Sequence, residues 1–207
     1  MTTEGDGSVA LEAIVLAGGS GKRFGGGKLT APWRGGRLID GALGAAFAAP
    51  ARSVIVVTGA DERVAGAATA LARRLGQLDR LRIVHAVDHA EGMAATLRTG
   101  IASLPPDAEG AFVFLGDMPL TPPDVLARLA ATVRMGAAAA APVFEGKRGH
   151  PVLFGAGLFA ALRALKGDEG ARSVLARLPG LALVEASDEG VLFDVDFADD
   201  IARAGRL

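Results

Sequence analysis

The chain contains no cysteine. That excludes thiolate catalysis, disulfide bridges and structural zinc of the cysteine type, and it is compatible with a reducing cytoplasm. An excess of either charge is also missing. The net charge is −1 and the basic residues are dispersed, so nucleic acid is not expected as a partner. No apolar run approaches the ~20 residues of a membrane span, so no membrane association is expected. The opening "MTTEGDGS" has neither the basic patch nor the apolar core of a signal peptide. These absences together predict a soluble, cytoplasmic protein. Metal-binding histidine pairs are missing too, since His85 and His89 are not spaced with other ligand types for zinc and read as structural.

What is present is an apolar chain of 207 residues, half of them hydrophobic, enough for one α/β domain with a sizeable core. Residues 1–10 read as a flexible N-terminal segment and residues 11–207 as a single domain. Leu11–Ala17, Ser53–Gly59, Leu81–Ala86, Gly110–Gly116 and Ala138–Phe144 read as buried strands. Helix-period stretches lie between and after them, at Leu38–Ala48, Glu62–Leu75, Met93–Ser103 and Pro123–Val133. This alternation predicts a mainly parallel, Rossmann-like sheet covered by helices on both faces. Further on, His150–Phe154 resembles a short strand, Leu158–Leu165 and Ala171–Leu178 resemble helices, and Val191–Phe197 resembles a last strand before a terminal helix. Ligands of such sheets bind beyond the carboxyl ends of the strands. That rule puts the loops after Ala17 and after Leu115 on one rim.

The first of these loops lies in "IVLAGGSGKRFGGGK", Ile14 to Lys28, which holds six glycines and three basic residues. Such a loop offers backbone N–H groups to an anion, most often phosphate. It is not a P-loop, because Lys22 stands where the first glycine belongs and Leu29 where Ser or Thr should follow the lysine. Nor is it a dinucleotide fingerprint, since Phe24 takes the third glycine position, and this removes the case for a dinucleotide-dependent oxidoreductase. Lys22, Arg23 and Lys28 fit a polyphosphate better than a solvated surface.

The second loop follows the strand in "VFLGDMPL". Asp117 there can hold Mg²⁺, an ion that takes one or two carboxylates and completes its shell with water and phosphate. Capping of the next helix falls more naturally to Thr121, before two prolines. In "DVDFADD", Asp194 and Asp196 are two apart in a strand-like run and share a face. Asp196, and less directly Asp194, would complete a magnesium site, while Asp199 and Asp200 offset the dipole of the last helix. His150, beside Lys147 and Arg148, is placed to meet an anionic substrate.

These residues together resemble the MobA-like nucleotidyltransferases, the molybdenum cofactor cytidylyl- and guanylyltransferases. The family's opening signature matches through Leu16, Ala17, Gly18, Gly19, Gly21, Arg23, Phe24, Gly25 and Lys28. Its G-D-M-P is Gly116 to Pro119, and its closing D-[IV]-D-T-P-E-D-L appears as "DVDFADDI", with Phe197 and Ala198 replacing Thr and Pro. "EGMAATLRTGI" (with Thr96 in place of Ser), "GKRGHPVLF" and "GDEGARSVL" resemble the cytidylyl branch. Gly18 follows the guanylyl spelling, where the cytidylyl branch has Ala.

The resemblance implies a nucleotide-diphospho-sugar-transferase-like fold and transfer of CMP from CTP to the terminal phosphate of molybdopterin, with release of pyrophosphate. A GTP-dependent guanylyltransferase and a non-catalytic cofactor carrier are the alternatives. Nucleotide binding is implied for Leu16, Ala17, Gly18, Gly19, Gly21, Arg23, Lys28 and Thr96, and substrate binding for Arg148 and His150. Arg23, Lys28 and Asp117 would be catalytic, and Asp117 and Asp196 would hold Mg²⁺. An NTP, a pterin phosphate and a client molybdoenzyme are the implied partners.

Overall fold

The structure is a computed structural model that describes residues 9–167 and 170–204. Most of the segment read as a flexible N-terminus therefore lies outside the described residues. At its end, Ala10 donates its N–H to Glu109 Oε2 at 2.7 Å, and Val9 packs against the core.

Among the described residues, ten strands and seven α-helices follow in chain order. The strands are β1 (Leu11–Ala17), β2 (Pro32–Trp33), β3 (Gly36–Arg37), β4 (Val54–Thr58), β5 (Leu81–His85), β6 (Gly110–Leu115), β7 (Ala139–Phe144), β8 (Lys147–Arg148), β9 (Val152–Gly155) and β10 (Ala182–Glu185). The helices are α1 (Ile39–Ala48), α2 (Arg63–Arg74), α3 (Met93–Ala102), α4 (Pro123–Arg134), α5 (Phe159–Arg163), α6 (Arg172–Ala176) and α7 (Ala198–Ala204). The central sheet runs β10-β7-β9-β6-β1-β4-β5, with β8 added to β7, while β2 and β3 form a separate small hairpin. Pairing is parallel except around β9 and β8.

β1 shows why the sheet must be covered on both sides. All seven of its residues are buried. Leu11, Ala13, Val15 and Ala17 face a core built with α1, α2 and α4, and Ile14 and Leu16 face a second core with α3, α5 and α6. A strand apolar on both faces cannot border water, so helices close over each. α3 comes close because Gly100 lacks a side chain: a Cβ there would stand 2.7 Å from Ile14 Cγ2.

The five strands and four helices expected between Leu11 and Val133 or Phe144 are all present, but β5 is not the buried strand expected: it closes one edge of the sheet, and its residues are exposed or half-buried. The region beyond Phe144 departs in two places. Val191–Phe197 is not a strand of the sheet. Val191, Phe193 and Val195 are buried in alternation, which imitates a strand, but the backbone bonds go to loops: His150 N–H to Val191 O at 2.9 Å and Val195 N–H to Asp117 O at 3.0 Å. The edge strand beside β7 is instead β10, whose short, half-exposed sequence carries little periodic signal. Thr121 does not cap α4 either; Pro122 holds the cap position without a side-chain bond, and Pro123 supplies a preset first turn.

At the end of the sheet opposite the glycine-rich loop, Glu12 is 1% exposed. It receives Arg52 Nη2 at 2.6 Å, Ser53 Oγ at 2.6 Å and Ser53 N at 2.9 Å, and Arg52 also reaches Asp107 at 2.7 Å. Removing Arg52 strands a buried carboxylate, whereas removing Asp107 breaks an exposed pair. Arg52→Ala is therefore expected to cost about 3 kcal/mol in urea unfolding, and Asp107→Ala far less, because the pair it breaks is in solvent. Equal losses in the two variants would refute this account of the clamp.

Candidate functional site

Strand order changes direction beside β1: the chain proceeds from β1 to β4 and β5 on one side, then returns to β6 on the other. A crevice forms at such a point beyond the strands' carboxyl ends. Leu16 lies opposite Leu115, and Gly116 N–H donates to Leu16 O at 2.9 Å. The glycine-rich loop and the G-D-M-P loop thus leave adjacent strands at the same level.

The first loop is shaped by its glycines. Gly21, Gly25, Gly26 and Gly27 all have left-handed backbone, φ between 59° and 93°, which a side chain resists. Two short 3-10 turns result, Lys22–Phe24 and Lys28–Thr30. Phe24, Gly25 and Gly26 spend their N–H groups inside the loop, on Gly21 O and Lys22 O. Gly19 to Arg23 make no such bond among the described residues, so the amides free for an anion are fewer than the Gly18–Gly27 span suggests. Thr30 anchors the loop's far end by donating to Asp61 Oδ2 at 3.1 Å, and Arg63 holds the same carboxylate.

The loop delivers Lys28 to the second motif. Lys28 Nζ donates to Asp117 Oδ2 at 2.6 Å and lies 3.7 Å from Asp196 Oδ1, while Arg23 Nη1 donates to Asp196 Oδ2 at 3.0 Å. The Lys28 side chain is only 12% exposed and that of Arg23 is 73% exposed. Three segments far apart in sequence therefore converge on one charge cluster. Asp196 is held by Asp200, whose Oδ2 accepts the N–H groups of Asp196 at 3.0 Å and Phe197 at 2.8 Å. Those two bonds keep the Asp200 carboxyl below its ordinary range. Asp200 thus fastens the metal-site candidate as well as serving the last helix.

The remaining sequence-derived residues fall around this cluster. Leu16 and Ala17 have buried side chains at the end of β1, so only their backbone can meet a ligand. Gly18 is buried and Gly19 exposed. Thr96, 4% exposed in the second turn of α3, faces Gly18. Asp194 is drawn into the acidic group: partial burial, then Asp196 and Asp117, push its carboxyl above the usual range. Burial lowers the His150 imidazole, against the pull of the Val113 carbonyl and Asp117, and its buried Nδ1 has no hydrogen-bond partner. Arg148 is exposed on β8, near enough to His150 to depress its pKa. Arg172 acts on His150 in the same way; it was legible only as part of "GDEGARSVL", and Asp168 of that stretch lies outside the described residues.

Asp117 and Asp196 fit a cation, because one already sits between them: the Lys28 ammonium contacts both carboxylates. Among the described residues no group of three or more acidic or histidine ligands gathers at one point. A site of this kind suits an ion that takes much of its shell from phosphate and water.

An α/β sheet with a glycine-rich anion loop, facing carboxylates and cations at its switch point defines a nucleotide-binding protein of the nucleotidyltransferase type. The chain belongs to the MobA-like NTP transferase family, whose model matches residues 13–182. That match ends before Asp194 and Asp196. Over 94% of the chain and 95% of the relative, it is 26% identical to the molybdenum cofactor cytidylyltransferase of Escherichia coli. It is 28% identical to the purine catabolism protein PucB of Bacillus subtilis, over 92% of the chain and 93% of that protein. Among solved structures, Rv0371c of Mycobacterium tuberculosis superposes with a TM-score of 0.79 at 25% identity, covering 97% of this chain and 100% of that one. A manganese complex of the same protein gives a TM-score of 0.72 at 27% identity, with 97% and 100% coverage. No helix among the described residues is long and apolar enough to cross a membrane.

The raised Asp194 carboxyl has a thermodynamic consequence. The folded protein binds that proton more tightly than the unfolded chain, so stability falls as pH rises through the titration. With divalent metal chelated, Asp194→Asn should melt at a higher temperature than the parent at pH 7, and the difference should shrink near pH 4. Melting curves with no difference at pH 7 would show that Asp194 is not under charge strain.

Proposed function

We propose that this protein transfers CMP from CTP to the terminal phosphate of a molybdopterin-type acceptor, releasing pyrophosphate. The observation that carries the reading is the convergence of Lys28, Arg23, Asp117 and Asp196 at the mouth of the glycine-rich loop. The cytidylyl-like stretches at Glu91–Ile101, Gly146–Phe154 and Gly167–Leu175, together with the likeness to the cytidylyltransferase, favour CTP and the pterin acceptor.

In this reaction the acceptor's phosphate oxygen forms a bond to the α-phosphorus, and the bond from the α-phosphorus to the bridging oxygen breaks. Pyrophosphate leaves with the electron pair. A phosphate monoester is already anionic near neutral pH, so the chain needs no general base. Its work is to hold two anions together and neutralise charge on the leaving group. Free amides between Gly19 and Arg23 cradle the triphosphate, and Arg23 and Lys28 offset its charge. Arg148, exposed on β8, draws the acceptor phosphate toward His150, where Arg148 and Arg172 both add positive potential. Asp117 and Asp196 would hold Mg²⁺, which would supply electrostatic stabilisation of phosphate charge. The manganese complex of Rv0371c supports a divalent ion in this fold.

The test is pyrophosphate release with each of the four NTPs, Mg²⁺ and a molybdopterin acceptor. CTP should give the highest initial rate; a clear preference for GTP would move the protein to the guanylyl reaction. Binding of CTP and acceptor with no pyrophosphate released would make it a carrier.

Asp117→Asn should lower turnover by roughly 10²-fold, the scale of losing a main electrostatic stabiliser, while the melting temperature stays near that of the parent. Near-normal turnover at ordinary magnesium would remove Asp117 from the site. Lys28→Ala should weaken CTP binding and leave acceptor binding nearly unchanged, as read by titration calorimetry.

A further inference from the structure

The nucleotide loop leaves β1 through a narrow gate. On one side stands Gly59, at the end of β4. A Cβ there would lie 2.5 Å from Gly18 O and 2.7 Å from Gly18 Cα. Ala60 N–H donates to Gly18 O at 3.2 Å, so the backbone is bonded to this wall. On the other side stands Thr96 of α3. A Cβ built on Gly18 would lie 2.5 Å from Thr96 Oγ1, 3.1 Å from its Cγ2 and 3.4 Å from its Cβ. Gly18 cannot move toward Gly59 to make room.

Thr96 cannot easily give way either. It is 4% exposed, and both branches of its side chain face the loop, so rotation exchanges one for the other. Its hydroxyl is not engaged in the helix. Thr99, one turn later, donates its hydroxyl to Ala95 O at 3.0 Å, but the Thr96 hydroxyl makes no hydrogen bond with any described residue. The hydroxyl is instead directed at the first residue of the anion loop.

We infer that Thr96 is a positioning residue for the nucleotide loop: its branched side chain fills the one place where a methyl fits between β1's exit and α3. Glycine at position 18 is then required by Thr96 and carries no information about the base. The inference rests on the reading that this loop binds the nucleotide, and it adds which contact sets the loop's height. A serine at 96 has a single oxygen that can turn aside, so it would restore room for an alanine at 18.

The experiment is a double-mutant cycle of the full chain: parent, Gly18→Ala, Thr96→Ser and Gly18→Ala/Thr96→Ser. Melting temperature is measured for each, with KM and kcat for CTP and for GTP, or calorimetric affinities for both. Gly18→Ala alone should raise KM for CTP and GTP by a similar factor, about 10-fold, the scale of overpacking a tight site. Its kcat should change less than its KM. The double variant should recover to within about 3-fold of the parent, and the CTP-to-GTP ratio should be the same in all four proteins. A double variant as impaired as Gly18→Ala would overturn the coupling. A ratio that changes with Gly18→Ala would make the glycine a selector of the base and overturn the inference as well. If no form binds or turns over any nucleotide, the proposed function fails, and the melting temperatures alone still decide whether positions 18 and 96 are coupled.

Discussion

The parallel pairing of β1 with β6 is the constraint on which the rest depends. Its last bond, from Gly116 N–H to Leu16 O, fixes two loop exits at one height. A register slip of one residue would turn the fully buried β1 over and expose its faces to the wrong cores. With the register set, Lys28 and Asp117 meet across 89 positions of sequence. The segment around Val195 is tied to the same place because its N–H bonds Asp117 O. Chemistry-bearing side chains therefore come from three loops, while their positions come from a rigid buried pair of strands.

The charge cluster is built to be exchanged rather than to stabilise. Arg23 is mostly in solvent, where its bond to Asp196 contributes little and costs little to break. Lys28 is more enclosed and serves two carboxylates at once. Beside the group, desolvation first and then Asp196 and Asp117 raise the Asp194 carboxyl, so its charged form is costly for the folded chain.

The family is defined by residues 13–182, and its relatives include proteins described by different names and roles. The matched part holds the glycine-rich loop and the first acidic motif. The closing acidic segment, with Asp194 and Asp196, lies beyond the matched residues, although it is bonded to the same rim through Val195 N–H and Asp117 O.

Much of this was decided locally and could be read from the chain. β1, β4 and β6 are mainly apolar runs that each end at a glycine, and both of their faces are buried. The glycine loop, the strand-end Asp117 and the alternating closing segment each carry their own signal, so the fold and the residues that meet at the sheet's rim were legible. Three-dimensional packing settled the rest. Val191–Phe197 alternates like a strand yet bonds loops, because alternation records burial and not hydrogen-bond partners. Asp200 reads as a helix-dipole charge, but its lone pairs are taken by the N–H groups of Asp196 and Phe197. Gly18 and Thr96 read as two unrelated departures from a pattern, 78 positions apart. In the fold they share one van der Waals space, and only the closing of α3 over β1 makes the residue at one position a condition on the other.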